Sequence, residues 1–417
     1  MFVAALSAST WAASLRPASP ADLESRYACG GGGTYAPETG IQWYREWDGC
    51  YVKCPSRVGM PHKMWTVGKL DNRSATMRGG PDNVMLTLPY PGSYTPNVAL
   101  IADIFHAEAP FIQQTIEYSA AHLGNIWSVA NEPNWFPLFT PADYALEFHL
   151  YATFIKGLDP TAKVVTGGLL VSNRYTGPTY AGIPWWDWID QFRAAYQNAY
   201  GTPPPVDCWD IHPYDAADYS EGISPGQKAI NNIVAMRQYL DNAGLTSAPI
   251  IISEVAAFTT DDTTQVDFIN TLFSWLNANA ETRKVVRWFW WISTTRVYAS
   301  GLFDGSYSRA TINVKGDAYM RQMGRVFVDP NWIPDPARIK GSMRNPYISL
   351  EEVCAASDAE TGNLPAHAIV YDFSTGRSYV LVPRPDADFD GDGDVDLNDF
   401  ATFQTCFNGP NRPPACL

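Results

Sequence analysis

The run IWSVANEPN, residues 126–134, joins a short apolar stretch directly to the polar tetrapeptide Asn131-Glu132-Pro133-Asn134. A short apolar stretch bounded by turn residues is typical of a buried strand. Similar β-rich runs recur downstream, and each is followed by a loop and a helix-length segment. The β-rich runs are 126–130, 163–170, 208–212, 249–254 and 285–292, and the helical segments are 141–158, 186–200, 226–243 and 264–280. Strand alternating with helix predicts a parallel sheet in an α/β fold.

The segments upstream extend the same pattern toward a (β/α)8 TIM barrel. Residues 40–46 and 83–89 supply two more strands, with 69–79 as the intervening helix, which accounts for seven of the eight barrel strands. We expect the first strand to lie within the opening residues, or to have been lost with the true N-terminus.

The acidic run DADFDGDGDVDLND, residues 386–399, has the spacing of an EF-hand calcium loop. Alternate carboxylates supply the oxygen ligands that calcium requires, while Gly393 at loop position 6 takes the sharp turn. We expect one structural Ca²⁺, bound by Asp388, Asp390, Asp392, Asp394 and Asp399. The alternative interpretation is a solvated acidic tail.

Loop position 12 is usually glutamate, but here it is Asp399, which is one methylene shorter. This departure, with Phe400, Phe403 and Phe407 at helical spacing after it, resembles the dockerin repeat. Dockerins carry two such repeats, whereas this sequence shows one. The resemblance therefore implies a cohesin-type partner only if a second repeat exists.

These patterns divide the chain into four predicted regions. The start is apolar and rich in small residues, like the later part of a secretory leader. The leader-like start, the calcium loop and the cysteines all favour a secreted, extracellular protein. The regions are a residual leader or disordered start at 1–19, the barrel at 20–328, a small β appendage or linker at 329–385 with a hairpin of 366–372 and 378–383, and the dockerin-like module at 386–417.

The composition limits the classes of partner. The net charge is −14, which argues against nucleic acid or an anionic membrane and fits a neutral substrate. Aromatic residues make up 13% of the chain, and their flat faces suit sugar rings as well as a core. No apolar stretch reaches the length of about 18 residues that a membrane span needs.

Seven cysteines lack the paired spacing of a zinc site, so structural disulfides are the preferred interpretation. Cys406 could pair with Cys416, and Cys50 could pair with Cys54 or Cys29. The odd count leaves one thiol over, and we expect Cys208 to be that free, buried thiol.

The carboxyl ends of barrel strands form the active face of this fold, and three predicted strands end in reactive residues. Glu132 follows the fourth strand, His212 and Tyr214 end the sixth, and Glu254 ends the seventh. Cleavage of a glycosidic bond needs two carboxyl groups, one that protonates the leaving group and one that attacks the anomeric carbon. Glu132 and Glu254 supply that pair.

This constellation resembles the clan A glycoside hydrolases, which include families 5 and 39, over roughly residues 40–324. The resemblance implies a retaining mechanism with Glu132 as acid/base and Glu254 as nucleophile, and it requires no organic cofactor. The implied substrate-binding residues are Asn131 at the sugar 2-hydroxyl, Tyr214 as the nucleophile's partner, His212 on strand 6, Arg45 on strand 2 and Trp290 as the sugar platform, with Trp288 or Trp291 as alternatives in register.

The sequence therefore predicts a secreted retaining β-glycoside hydrolase that acts on a polysaccharide or oligosaccharide. The runner-up is a non-catalytic carbohydrate-binding barrel, in which the carboxylates only bind sugar hydroxyls. A third hypothesis is a structural surface protein that uses the calcium loop for assembly, but it leaves the pair Glu132 and Glu254 unexplained.

Overall fold

The protein is described here from a computed structural model. The residues that the structure describes are 13–19, 27–30, 43–46, 62–67, 98–118, 126–135, 140–172, 183–214, 222–257, 259–291, 300–302, 313–328, 350, 353, 368–372, 374–375, 377–383 and 397–398.

Two compact units make up the described part of the chain. The first contains one parallel sheet, and its strand order is β6-β5-β4-β3-β2-β10-β9-β8-β7. Its strands are β2 (Tyr27–Gly30), β3 (Trp43–Glu46), β4 (His62–Val67), β5 (Ile126–Val129), β6 (Lys163–Val165), β7 (Leu169–Leu170), β8 (Trp209–His212), β9 (Ile250–Val255) and β10 (Val285–Trp290).

The sheet closes through an interruption in its fifth strand. β6 pairs with β5 on one side, and β7 pairs with β8 on the other. Only Thr166, Gly167 and Gly168 separate β6 from β7, and Val165 also bridges to Cys208 just before β8. β6 and β7 are thus two halves of one strand, and the sheet is an eight-stranded parallel barrel. The parallel α/β fold predicted from the sequence is confirmed.

Six helices follow strands of the barrel within the described residues. They are α1 (Val98–Tyr118), α2 (Pro141–Leu158), α3 (Trp185–Tyr200), α4 (Pro225–Asn242), α5 (Asp262–Arg283) and α6 (Val314–Gln322). Local sequence sets their ends. Thr140 and Asp143 form a reciprocal capping box at the start of α2, with Pro141 in its first turn. Gly201 ends α3 with φ 74°, a left-handed conformation that glycine adopts without steric cost.

The barrel interior is layered along the strand direction. Ile126, Val165, Ile251 and Phe289 form an apolar layer, with Cys208 packed against it. Two residues further toward the carboxyl ends, the same alternation places the polar residues Ser128 and Asp210. The interior therefore changes from apolar to polar as it approaches the predicted active face.

Cys208 is a free thiol, as the sequence predicted, but it is half-buried rather than fully buried. Burial raises its pKa to about 12, and the negative charge of Asp207 adds to this effect. The other six cysteines are not described well enough for their pairing to be stated.

The second unit contains a four-stranded sheet with the order β1-β13-β12-β11. Its strands are β1 (Ala13–Pro17), β11 (Arg325–Val328), β12 (Ile369–Asp372) and β13 (Arg377–Pro383). β12 and β13 form the antiparallel hairpin that the sequence predicted. Asp372 fixes the turn by accepting hydrogen bonds from Ser374 N at 2.8 Å and Thr375 Oγ1 at 2.7 Å.

Three sequence expectations differ from the structure. The third barrel strand is β4, between β3 and β5, so the place expected for 83–89 is already taken. Ala13–Pro17, within the expected leader remnant or disordered start, pairs with β13 over five residues. β11, within the expected barrel range 20–328, pairs with β12 instead.

The first strand is β2, which lies within the opening residues as expected. Residues 69–79 and 83–89 lie outside the described residues, as do the calcium-loop aspartates. No described helix is both long and apolar enough to cross a membrane.

A test of the strand interruption uses Gly168, which has φ 57° and lies against His212. A Cβ on Gly168 would be 2.2 Å from His212 Nε2. We expect Gly168→Ala to lower the free energy of unfolding by about 2–4 kcal/mol, because left-handed strain adds to the displacement of a buried, hydrogen-bonded imidazole. Urea denaturation measures this.

The matched control is Gly201→Ala. Gly201 has φ 74°, and a Cβ there meets nothing within 4 Å. It should cost only the left-handed strain of about 1–2 kcal/mol. Equal losses in the two variants would show that Gly168 and His212 are not in close contact.

Candidate active site

Four of the predicted site residues come together at the carboxyl ends of three barrel strands. Glu132 follows β5, His212 ends β8 with Tyr214 two residues beyond, and Glu254 lies near the end of β9. The strand order brings β8 next to β9, while β5 reaches β8 across the interrupted fifth strand. Residues far apart in the sequence therefore share one edge of the barrel.

The His212 ring lies between the two glutamates. Its Nδ1 is 2.8 Å from Glu132 Oε1. Its Nε2 is 2.9 Å from Ser253 Oγ and 3.4 Å from Glu254 Oε1. The ring itself is fully buried. Each ring nitrogen therefore faces one of the two glutamates: Nδ1 faces Glu132, and Nε2 faces Glu254.

Tyr214 holds the second carboxylate. Its hydroxyl donates to Glu254 Oε2 at 2.9 Å. The Glu254 side chain is 6% exposed, whereas the Glu132 side chain is 20% exposed. A carboxylate this deeply buried stays ionised only when hydrogen-bond donors or cations compensate for the lost water. Tyr214 and the neighbouring imidazole provide that compensation.

A third carboxylate, Asp210, lies below His212 in the barrel interior. It is completely buried and accepts hydrogen bonds from Ser253 N at 3.1 Å and Ser128 Oγ at 3.1 Å. Its backbone N–H donates to Thr166 Oγ1 at 2.8 Å. Asp210 thus ties β5, β8, β9 and the interrupted strand together beneath the site. The sequence analysis did not single it out, although its spacing of two residues from His212 places it on the same face of β8.

Two residues in the loop after β5 have an unusual backbone conformation. Ala130 has φ 67° and Glu132 has φ 50°, which is the left-handed region for residues that carry a Cβ. Such conformations cost about 1–3 kcal/mol each and cluster at functional sites. The Glu132 N–H donates to Gly167 O at 2.5 Å, and Trp135 N donates to Glu132 O at 2.9 Å.

Asn134, which ends the NEPN tetrapeptide, anchors the loop that carries Glu132. Its amide donates to Leu170 O at 2.9 Å and accepts from Leu170 N at 3.0 Å. These two hydrogen bonds use both backbone groups of Leu170, as the backbone of an adjacent strand would. It fixes the loop after β5 against β7.

The prediction that Trp290 is the sugar platform is wrong. Trp290 is completely buried, and its ring packs against Phe268 and Phe273 of α5 and Tyr319 of α6. Its Nε1 donates to Ser300 O at 2.7 Å. Trp290 therefore faces the helices and belongs to the core.

Strand alternation explains this error and decides between the two alternatives in register, Trp288 and Trp291. Phe289 belongs to the interior layer, so Trp288 and Trp290 face outward, and Trp288 is also buried. The next inward position is Trp291, which is half-buried and continues the ladder by donating from N to Val255 O at 3.0 Å. A shift of one residue moves the aromatic ring from the core to the mouth of the barrel.

The remaining predicted residues are placed less fully. Arg45 lies in β3, the second barrel strand, where it pairs with Gly30 and Met64, but its side chain is outside the described part. Asn131 is half-buried beside Glu132. The predicted calcium ligands Asp388, Asp390, Asp392, Asp394 and Asp399 lie outside the described residues.

Glu132, His212 and Glu254 also have the ligand types of a divalent-metal site, with ligand atoms within 4.8 Å of one another. The two carboxylates, however, approach different nitrogens of the imidazole ring. A single ion can bind only one of these nitrogens, and the other carboxylate would then remain on the far edge of the ring. The arrangement fits two carboxyl groups hydrogen-bonded to one imidazole better than a metal centre.

The chain was compared with known families and proteins. Residues 129–319 match a family model described as a glycosyl hydrolase catalytic core. The matched region includes Glu132, His212, Tyr214 and Glu254. No curated protein sequence matches the chain. The class of protein is thereby defined, and the chain is a glycoside hydrolase.

Among solved structures, the chain is similar to a GH128 (subgroup II) endo-β-1,3-glucanase from Sorangium cellulosum, with 15% identity, 70% of this chain and 97% of that chain covered, and a TM-score of 0.47. It is also similar to an endo-β-1,4-glucanase from Xanthomonas axonopodis pv. citri that carries three substitutions, with 11% identity, 72% and 99% coverage, and a TM-score of 0.47.

Adjacent tryptophans test the register at the end of β10. We expect Trp291→Ala to raise KM at least several-fold with a small change in stability, because a half-buried ring at the barrel mouth contacts substrate more than core. Trp290→Ala should instead lower the free energy of unfolding by about 3–5 kcal/mol, as for other buried aromatic residues. Steady-state kinetics and chemical denaturation of both variants measure the two effects. The register is wrong if Trp290→Ala is the variant that loses substrate affinity while keeping full stability.

Proposed function

We propose that the protein is a retaining β-glycoside hydrolase that cleaves a polysaccharide or oligosaccharide by double displacement. One observation carries this proposal: Glu132 and Glu254 flank His212, and one oxygen of each carboxylate lies within 4.8 Å of the other. Retaining enzymes hold their two carboxyl groups about 5–5.5 Å apart, whereas inverting enzymes need about 6.5–9.5 Å to admit a water molecule. The short separation supports retention.

Exposure and hydrogen bonding support different roles for the two carboxyl groups. Glu254 is the more buried and accepts a hydrogen bond from Tyr214, so it suits the ionised nucleophile. Glu132 is the more exposed, so it can reach the leaving-group oxygen and later an incoming water.

The His212 ring supports a matching proton arrangement. If Nε2 carries the hydrogen, it faces Ser253 and the ionised Glu254, and Nδ1 is left with a lone pair. Nδ1 then accepts a hydrogen bond of 2.8 Å from the protonated Glu132 carboxyl. This tautomer keeps one carboxyl group protonated and the other ionised before substrate binds.

The reaction proceeds in two displacements. A Glu254 oxygen attacks the anomeric carbon, the glycosidic C–O bond breaks, and the Glu132 proton moves to the departing oxygen. A water molecule then attacks the same carbon from the side of Glu132, which takes the water's proton. The bond to Glu254 breaks, and both carboxyl groups return to their first state with net retention.

The net charge of −14 favours a neutral substrate, since an anionic polysaccharide would be repelled. We propose a neutral β-linked polysaccharide as the substrate class. Purified β-1,3-glucan, β-1,4-glucan, mannan, xylan and galactan form the test panel, with reducing-end release as the readout. Proton NMR of the first product formed gives the stereochemistry, and an inverted anomer would contradict the proposed mechanism.

Carboxyl substitutions test the two roles separately. Glu254→Ala should lower kcat at least about 10⁴-fold on every substrate, because no nucleophile remains. Glu132→Ala should lower kcat/KM by about 10²–10⁴-fold on the natural substrate but only slightly on a 2,4-dinitrophenyl glycoside, whose leaving group needs no proton. Azide should raise the turnover of Glu132→Ala by replacing the water that Glu132 activates.

The control for both variants is Glu281→Ala, which removes an exposed carboxylate from α5 and should leave the kinetics unchanged. If Glu132→Ala loses activity equally on both substrates and does not respond to azide, Glu132 is not the acid/base.

We also propose that the protein is secreted and that its acidic tail binds one structural Ca²⁺ without a role in catalysis. The proposal rests on the spacing of the tail aspartates together with Gly393 at the sharp turn. Docking to a cohesin-type partner is proposed only for a chain that carries a second repeat.

Calorimetric titration of a peptide of residues 385–417 with calcium tests the tail. We expect one saturable site at millimolar or lower calcium, because clustered carboxylates repel one another until a cation binds. Chelation by EDTA should leave glycosidase activity intact. The absence of saturable binding, or the loss of activity on chelation, would refute the proposed role of the metal.

A further inference from the structure

The backbone at Glu132 needs support from outside its own loop. Ala130 and Glu132 both have positive φ, a conformation that persists only where surrounding groups hold it. The Glu132 N–H is held by Gly167 O at 2.5 Å, in the interruption between β6 and β7. The direction of the Glu132 side chain thus depends on where the Gly167 carbonyl lies.

Gly167 lies tightly against the end of β5. A Cβ on Gly167 would be 2.2 Å from Val129 O and 2.7 Å from the Ala130 carbonyl carbon. Because the contact is this close, the interrupted strand and β5, which leads into Glu132, cannot move toward each other without a steric clash.

The hydroxyl of Tyr144, on α2, joins these two segments. It donates to Val129 O at 3.1 Å and accepts from Gly167 N at 3.0 Å. One buried hydroxyl therefore bonds to the last residue of β5, just before the Glu132 loop, and to Gly167 of the interrupted strand. The Tyr144 ring is fully buried and packs on Phe148, Trp188 and Phe192, with centroid distances of 6.0, 5.3 and 4.8 Å. The hydroxyl is held in place by this packing.

We propose that Tyr144 is a positioning residue for the general acid/base Glu132, and that it acts through the backbone of Gly167, which Tyr144 holds at its N–H and which meets Glu132 at its carbonyl. This inference rests on the proposed role of Glu132. Glu254 is held separately, by Tyr214 and by the pairing of β9, so the effect of Tyr144 falls on one of the two carboxyl groups.

The hydroxyl remains a donor throughout the working pH range. Burial raises the pKa of Tyr144 well above its usual value, and the negative charge of Glu147 raises it further. The contact to Val129 O is therefore not lost by titration.

Tyr144→Phe tests the inference because it removes the hydroxyl and keeps the packed ring. The kcat/KM is measured for an oligosaccharide of the polysaccharide found in the panel, and for the 2,4-dinitrophenyl glycoside of the same sugar. We expect a loss of about tenfold or more on the oligosaccharide, since small misplacements of a catalytic group have effects of this size. On the activated glycoside the loss should be under about twofold, because that leaving group needs no proton.

Tyr151→Phe is the matched control. Tyr151 is also buried on α2, and its hydroxyl donates to Glu108 Oε2 at 2.5 Å, away from the Glu132 loop. Any loss in this variant should be equal on the two substrates. Both variants are assayed well below their own unfolding midpoints, so that partial unfolding does not enter the rates.

Each outcome decides between the hypotheses. Unequal losses in Tyr144→Phe, with the loss on the activated glycoside under about twofold, support the positioning role. Equal losses on both substrates overturn it, as does a failure to fold, because the hydroxyl would then support the barrel as a whole. If Glu132→Ala shows the unequal losses and Tyr144→Phe does not, only the inference about Tyr144 fails. If neither variant shows unequal losses, the proposed role of Glu132 is wrong, and the inference about Tyr144, which rests on it, is wrong as well.

Discussion

Closure of the sheet imposes the constraint on which the site depends. A parallel sheet of eight strands leaves two open edges unless its first and last strands meet, and unpaired edges are costly. In this protein the fifth strand meets its neighbours in two separate pieces, with Gly167 and Gly168 between them. The break gives up part of a hydrogen-bond ladder. Within the break, Gly167 O accepts a hydrogen bond from the Glu132 N–H, and Gly168, which has no Cβ, leaves space for the His212 ring.

Three carboxyl groups near one buried imidazole create a second constraint, which is electrostatic. Like charges in a low-dielectric site repel strongly, so they must be separated by donors or must share protons. Asp210 is satisfied from below by Ser128 and by the Ser253 N–H, and Glu254 is satisfied from the side by Tyr214. Glu132 is the more exposed of the two glutamates, which supports its proposed role as the group that delivers a proton to substrate.

The sequence predicted the barrel strands from β5 onward because those strands are nearly all apolar and end in turn residues. It misplaced the third strand, since His62–Val67 begins with two polar residues and 83–89 has the stronger apolar pattern. The pair Glu132 and Glu254 follows from strand ends alone. Asp210 and Tyr144 could not be chosen in this way, and Trp291 could not be preferred to Trp290, because the choice depends on which face of a strand or helix meets which neighbour. The exchange of Trp290 for Trp291 is one such case, where a one-residue shift changes the face.

The high pKa of Cys208 bears on how the rest of the chain can form its disulfides. Only a thiolate attacks a disulfide, and with a pKa of about 12 roughly one thiol in 10⁵ is ionised at neutral pH. Cys208 also packs against the apolar layer of Ile126, Val165, Ile251 and Phe289. Once the barrel has formed, this half-buried cysteine takes part in thiol–disulfide exchange only slowly. An unpaired thiol can therefore persist beside six other cysteines without reshuffling whatever bonds they make.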